Sequence, residues 1–113
     1  GRAGRGLDRA VPRGAAVKAL AELLQGVESE TPYGGRAVSW EPLGLAWLKL
    51  GARRRREKSE PGGTRAIETT TAETRSDARL TTGRVLRFGG GDWRIVSGET
   101  VGGRAILNLE RMR

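Results

Sequence analysis

The last third of the chain constrains its fold most, because short alternating runs there are separated by glycine-rich turns. The stretch is "GRVLRFGGGDWRIVSGETVGGRAILNLERM". Leu86 and Phe88 share one face of the first run, Trp93 and Ile95 share one face of the second, and residues 106–109 close the set. Alternation with period two, broken at glycines, predicts antiparallel strands joined by hairpins, with Phe88, Trp93 and Ile95 in the core.

An earlier turn predicts a second hairpin. In "TPYGGR", Pro32 presets φ, while Gly34 and Gly35 can take positive φ without a Cβ clash. The following "AVSW" alternates, and "LGLAWLKL" continues the pattern after an interruption by Pro42 and Gly44. One strand with a bend or bulge is therefore expected over this segment.

The residues of three other segments predict their secondary structure less clearly. "AAVKALAELLQGVE" fits a helix over Ala15–Gln25 that ends at Gly26, and it also fits a strand over Leu20–Glu28. The segment 51–63 has no large apolar residue and predicts a charged loop, with room for a short helix. "TRAIETTTAETR" suits a strand, and "SDARL" suits one helical turn with Ser76 as its N-cap.

Length and composition bound the domain organisation. The 113 residues, 18 of them glycine, suit one domain with a modest core. We expect residues 1–14 to be a flexible basic arm and residues 15–113 to form a single β domain. The chain has no cysteine and no histidine, so disulfides, Cys- or His-ligated metals and a histidine base are excluded.

The charge balance points to anionic surroundings. The net charge is +8, from 21 basic and 13 acidic residues, which favours nucleic acid, an acidic protein surface or anionic lipid. No apolar run approaches the ~20 residues of a membrane span, and no membrane partner is expected. Arg53, Arg54, Arg55 and Arg56 form the strongest basic run, either as a phosphate- or partner-contacting segment or as a solvated surface loop.

Other chemistry is weakly indicated. "FGGGDWR" superficially fits a base-stacking platform or a phosphate loop, but a hairpin with inward aromatics explains it better. No spacing forces two of the candidate carboxylates together, and no cofactor is implied. The candidate carboxylates are Glu68, Glu73, Asp77, Asp92 and Glu99. We therefore expect the protein not to be an enzyme.

The order of these features resembles the phage head–tail joining family. Members carry a tyrosine-glycine turn, a tryptophan-bearing strand, a "VWA"-like strand and later a pair of strands around a glycine turn. The corresponding positions, within a match over roughly residues 20–112, are Tyr33, Gly34, Gly35, Trp40, Ala46, Trp47, Arg84, Val85, Phe88, Gly91, Trp93 and Ile95. On this resemblance we favour a strand over Leu20–Glu28, with Trp40 and Trp47 in the core.

The resemblance also implies a fold and a role. The expected fold is mainly β, a small antiparallel β-barrel of about six strands with long loops. Members act as stoppers or adaptors at the head–tail junction of tailed phages and gene transfer agents. The implied partners are further copies in a ring of six or twelve, a portal or adaptor protein and a tail terminator or tail tube protein. Channel DNA would be contacted without sequence specificity.

The resemblance places the protein in a virion or phage-like particle assembled in the bacterial cytoplasm, with the turn at Tyr33, Gly34 and Gly35 free to meet a partner. A tail-completion role shares ring assembly and is not separated by sequence. The alternative from a different class is a monomeric, small basic β-barrel that binds RNA or single-stranded DNA through exposed aromatics.

Overall fold

The computed structural model describes residues 17–113, which form seven β-strands in one antiparallel sheet. In chain order these are β1 (Val17–Glu30), β2 (Arg36–Leu50), β3 (Arg54–Glu60), β4 (Gly63–Arg75), β5 (Val85–Phe88), β6 (Gly91–Val101) and β7 (Arg104–Arg111). The predicted all-β, antiparallel class is confirmed. The predicted basic arm over residues 1–14 lies outside the described residues. Within residues 17–113 no helix is long and apolar enough to cross a membrane.

The sheet rings round on itself. The strand order is β2-β1-β5-β6-β7-β4-β3, and β2 also pairs with β4. Six strands therefore form the ring, and β3 lies outside it, attached to β4 alone. Four of the seven pairs join consecutive strands through a tight turn, such as the Gly89–Gly90 turn between β5 and β6, and the other three, β1–β5, β4–β7 and β2–β4, join strands that are distant in sequence. That turn confirms the predicted "GGGD" hairpin.

The seam between β2 and β4 is short and is supplemented by threonine side chains. Lys49 pairs with Glu73 and Leu50 with Ala72 across it, and the N–H of Gly51 donates to the carbonyl of Thr71 at 2.9 Å just beyond these pairs. The buried Thr74 donates from Oγ1 to the carbonyl of Trp47 at 2.8 Å, and the buried Thr70 donates to the carbonyl of Gly51 at 3.1 Å. These hydroxyls satisfy carbonyls that the interrupted ladder leaves unpaired, which gives the threonine-rich β4 a structural purpose.

The core fills the inside of the ring. Its buried members are small and aliphatic apart from one aromatic pair; they are Ala21, Leu23, Leu48, Ala72, Leu86, Phe88, Trp93, Ile95, Ala105, Leu107 and Leu109. Phe88 and Trp93 stack with ring centroids 5.6 Å apart. Burying each large apolar side chain contributes roughly 2 kcal/mol. The faces predicted for β5 and β6 are thus the faces that point inward.

The first ambiguous segment is a strand. β1 pairs with β2 along its whole length, from Val17 with Leu50 to Glu30 with Arg36. The local helix propensity is overridden because β1 supplies Ala21 and Leu23 to the ring interior. A bulge falls at the predicted interruption, since Leu23 pairs with Gly44 and Leu24 already pairs with Pro42.

Two local predictions on either side of β4 differ from the structure. Within the predicted charged loop 51–63, residues 54–60 form β3, because β4 offers them a free edge over residues 63–69. The predicted helical turn near Ser76 is an irregular turn instead. Asp77 rather than Ser76 accepts the local hydrogen bond, from the backbone N–H of Arg79 at 2.9 Å.

The β1–β2 hairpin extends beyond the ring. β5 pairs with β1 only over Glu22–Leu24, so the part from Gln25 to Glu41 has no third strand. We call residues 25–41 the projecting arm. Each of its strands runs for roughly 20 Å at 3.4 Å per residue. The molecule accordingly measures 68 × 36 × 25 Å, and its radius of gyration of 17.5 Å exceeds the roughly 13 Å of a compact domain of this size.

Candidate functional site: an arginine face at the end of the core

The arginine run predicted from the sequence is divided by the strand geometry. Arg53 precedes β3, whereas Arg54, Arg55 and Arg56 lie within it, and all four are exposed. They pair with β4 in the register Arg54 with Thr69, Arg55 with Glu68 and Arg56 with Ile67. Successive side chains of a strand point to opposite faces, so Arg55 and Arg54 cannot serve one surface together.

Arg53 lies with a second arginine over the aromatic end of the core. Its guanidinium carbon is 5.2 Å from the ring centroid of Trp93, and that of Arg111 is 5.9 Å from the same ring. Both distances are within the range of a cation–π interaction. Trp93 itself is only 1 % exposed, so the two arginines cover a core residue and present their remaining donors outward.

A glycine leaves room for Arg111. A Cβ at Gly91 would approach the Arg111 Nε to 3.1 Å, tighter than ordinary packing. Arg111 also donates to Glu68 at 3.3 Å across the sheet. The guanidinium is thus held by the β6 backbone on one side and a carboxylate on the other, which orders a long side chain at the surface.

Two further arginines complete the surface. Arg55 and Arg113 line an open groove together with Arg111 and Glu68, and Arg113 donates to the carbonyl of Ala66 at 3.2 Å. We call Arg53, Arg55, Arg111 and Arg113 the arginine face. Glu68 is the one carboxylate among the groove-lining residues, so the face has a clear positive excess.

Sequence reasoning missed half of this face. In "LNLERMR", Leu107, Leu109 and Arg111 share one parity along β7 and Arg113 continues it just after the strand, with the leucines inside the ring and the arginines beyond its end. The alternation was therefore visible in the sequence. The alternation does not predict the strand register that brings Arg111 opposite Glu68 and beside Arg55.

The predicted core tryptophans of β2 lie elsewhere. Trp47 is 65 % exposed, because its neighbour Leu48 takes the inward position. Both faces of "LGLAWLKL" are apolar, so the alternation does not say which face is inside. Trp40 is 37 % exposed and lies in the projecting arm, where its ring packs against Gly26 and no third strand covers it.

The predicted partner-facing turn stands at the tip of the projecting arm. Tyr33 is 97 % exposed, and Gly34 takes φ +80°. The turn is closed by the N–H of Gly35, which donates to the Thr31 hydroxyl at 3.0 Å. Its exposure makes the tip available for contact, and its role stays a prediction.

The candidate carboxylates of the sequence analysis are spread over the surface, and four of them, Glu68, Glu73, Asp77 and Asp92, form ion pairs with arginines. Arg79 lowers the pKa of Asp77 to about 2, mainly through side-chain hydrogen bonds, and Arg87 holds the pKa of Asp92 below its usual value in the same way. Such carboxylates stay ionised, which suits structural pairing more than proton transfer. Across residues 17–113 no three metal-binding side chains cluster into a candidate metal site.

Comparison with known proteins gives structural likeness without sequence likeness. No protein-family model matches the chain, and no curated protein matches it significantly. A chain in the virion of a native gene transfer agent particle has a TM-score of 0.63 and 20 % identity, covering 82 % of this chain and 93 % of that one. The protein xkdH of the phage-like element PBSX from Bacillus subtilis has a TM-score of 0.59 and 5 % identity, covering 85 % and 95 %. At these identities the likeness establishes a shared fold.

Proposed function

We propose that this chain is a structural protein of a tailed phage or gene transfer agent particle and that it works at the head–tail junction. The observation that carries the proposal is the fold shared with a chain of a gene transfer agent virion over nearly the whole of that chain. A phage-like element protein with the same fold supports the same class. The order of motifs around Tyr33, Trp47 and Trp93 agrees with the head–tail joining family.

In this role the chain would be a stopper or adaptor built as a ring of identical copies. The closed sheet supplies a rigid body, and the projecting arm supplies reach toward neighbouring proteins. The expected neighbours are a portal or adaptor protein on the head side and a tail terminator or tail tube protein on the other side. An assembly of this kind needs shape and repeated weak contacts and requires no catalytic group.

The arginine face would meet the packaged double-stranded DNA or an acidic partner. Three of its four guanidiniums are ordered by contacts with Trp93, with Glu68 or with the Ala66 carbonyl, so they can contact phosphates without a large loss of side-chain entropy. Such contacts position DNA but do not read its sequence. Repetition around a ring would multiply a weak attraction and still let the DNA pass.

A monomeric nucleic-acid-binding module is the second candidate, and the arginine face is the observation that favours it. The aromatic residues near that face weigh against base stacking, because Phe88 and Trp93 are buried. Stacking on single strands would then fall to the aromatics that are exposed, which are Trp40 and Trp47 on β2 and Tyr33 at the tip of the projecting arm.

Electron cryo-microscopy of particles purified from the source organism tests the proposal. We expect a symmetric ring of this chain between portal and tail. Particles that lack the chain would refute the junction role and favour the free nucleic-acid-binding module. A position elsewhere in the particle would keep the virion class and reject the junction.

A further inference from the structure

An exposed apolar patch lies on the outer face of the β1–β2 hairpin where it joins the ring. Leu20 is directly opposite Trp47, and Leu45 follows on the same face of β2. These three side chains are 46 %, 65 % and 63 % exposed. We call them the tryptophan patch. A contiguous apolar surface of this kind on a small, highly charged protein marks an interaction site.

The rim of the tryptophan patch is basic at the end away from the arm, whereas Glu22, the cross-strand partner of Leu45, lies at the end next to the arm. Lys18 and Lys49 form the next cross-strand pair on the same face. Arg104 lines the open cavities on both sides of Trp47, where it is bridged to Glu73 at 3.2 Å. An occupant with an apolar centre and acidic edges would match this surface.

The projecting arm has that chemistry. Residues 25–41 contain three glutamates and one arginine, a net charge of −2, whereas the rest of the described chain has 16 basic and 9 acidic residues, a net charge of +7. On the outer face of the arm, Val38 is 53 % exposed and lies beside Glu30 and opposite Glu28, which forms an ion pair with Arg36 at 2.8 Å. The arm is therefore an acidic element with an apolar contact residue, attached to a basic body.

The arm cannot cover the patch of its own molecule. Its two strands continue from the patch and remain paired up to Glu30 and Arg36, which directs the tip away from the ring. A strand pair of this length would have to break several ladder hydrogen bonds to fold back. The complementary patch must then belong to another molecule.

We propose that the projecting arm of one copy docks on the tryptophan patch of a second copy. Arm and patch are different surfaces, so the contact is head-to-tail and leaves each copy with one free arm and one free patch. Repetition of such a contact either closes a ring or extends a filament. The contact rests on the proposed function for its biological setting, and it identifies the two surfaces through which copies in the ring would meet.

Thiol crosslinking of purified protein tests the contact, since the chain contains no cysteine of its own. Differently tagged Val38→Cys and Glu22→Cys variants, one on the arm and one opposite Leu45 at the patch, are mixed and treated with a bis-maleimide. The matched control mixes Val38→Cys with Ser59→Cys, which is exposed on β3. We expect mixed-tag dimers with Glu22→Cys and none above background with Ser59→Cys.

Charge reversal gives a second, independent readout. Lys18→Glu with Lys49→Glu on the patch, or Glu28→Lys with Glu30→Lys on the arm, should each abolish the crosslink. Mixing the two reversed variants should restore it, because every arm then meets a patch of opposite charge. Restoration in the mixture also shows that the reversed variants are folded.

The contact is overturned if Val38→Cys crosslinks to neither position, or to Ser59→Cys as readily as to Glu22→Cys. A failed crosslink together with a ring at the head–tail junction would keep the role and reject this contact. A specific crosslink in a chain that is absent from particles would keep the contact and reject the role.

Discussion

Gly44 has a backbone conformation that favours glycine, and the charged side chain of Arg79 lies directly against it. It takes φ +149° beside the bulge, and the guanidinium of Arg79 occupies the space in which a Cβ would lie. Arg79 also donates to the neighbouring carbonyl of Leu43 at 2.6 Å. The 76–84 connection is thereby attached to the bulge, and glycine is the residue that allows it.

We predict that Gly44→Ala destabilises the protein by about 3 kcal/mol, from the strained φ together with the displaced Arg79. Gly62→Ala is the matched control, because Gly62 has φ +96° but open space around it, and its cost should be about 1 kcal/mol. Urea unfolding of both variants measures the difference. Equal losses would show that the approach of Arg79 contributes nothing.

Asp77 gives a prediction about acid stability. Hydrogen bonds from Arg79 lower the pKa of Asp77 from 3.8 to about 2 in the folded protein. A depressed pKa means that the stabilisation is fully present above about pH 3.8 and is lost as the pH falls toward 2.

We therefore expect Asp77→Asn to be less stable than wild type at pH 6, with the difference shrinking as the pH falls through this window. Unfolding measured from pH 6 to 2 tests this, and an NMR titration of the Asp77 carboxyl gives its pKa directly. A difference in stability that is independent of pH would contradict the assignment.

At the scale of elements, the closure of the sheet depends on side chains more than on ladder length. The β2–β4 seam has two paired positions, while β1 and β2 pair along fourteen residues of β1. The Thr74 and Thr70 hydroxyls replace backbone donors where the two strands diverge. Loss of one hydroxyl leaves a buried carbonyl unsatisfied.

We predict that Thr74→Val costs about 1–2 kcal/mol, although it preserves the shape of the side chain. Thr100→Val, at an exposed position of β6, is the control and should change stability by less than about 0.5 kcal/mol. Hydrogen exchange of the Gly51 amide, which donates to the carbonyl of Thr71 across the seam at 2.9 Å, should rise in the Thr74 variant alone. Unchanged hydrogen exchange at the β2–β4 seam would show that the lost stability arises elsewhere in the protein.

At the scale of the whole molecule, the division of the arginine run predicts which charges meet a polyanion. Arg53 and Arg55 belong to the arginine face, whereas Arg54 and Arg56 project from the other side of β3. The double variants Arg53→Gln/Arg55→Gln and Arg54→Gln/Arg56→Gln remove the same charge from adjacent positions. They are matched controls for each other.

We expect the Arg53/Arg55 variant to weaken binding to double-stranded DNA more strongly. The steepness of its plot of log K against log salt should fall by about 0.9 for each phosphate that the variant no longer neutralises. Fluorescence anisotropy over a range of salt concentrations measures both quantities. Equal weakening in the two variants would mean that net charge alone governs binding and that the face has no special role.

Local sequence was sufficient to predict the class of the fold and much of its core. Alternation around glycine turns placed Phe88, Trp93 and Ile95 inside, and the turn at Gly34 and the bulge near Gly44 were both readable. A period of two and a positive φ depend on a few neighbouring residues, so a short segment can carry each of these signals.

Both faces of β2 are apolar near Trp47, and only the packing of the closed sheet decides which of them points inward. In the structure Trp47 lies on the outer face. The same packing turned a helix-prone segment into β1 because the ring interior takes the side chains of that segment, and it gave β3 an edge to pair with. It also joined Arg111 and Arg113 to Arg53 and Arg55 from a distant part of the chain. Register and burial are properties of the closed sheet, which no single segment encodes.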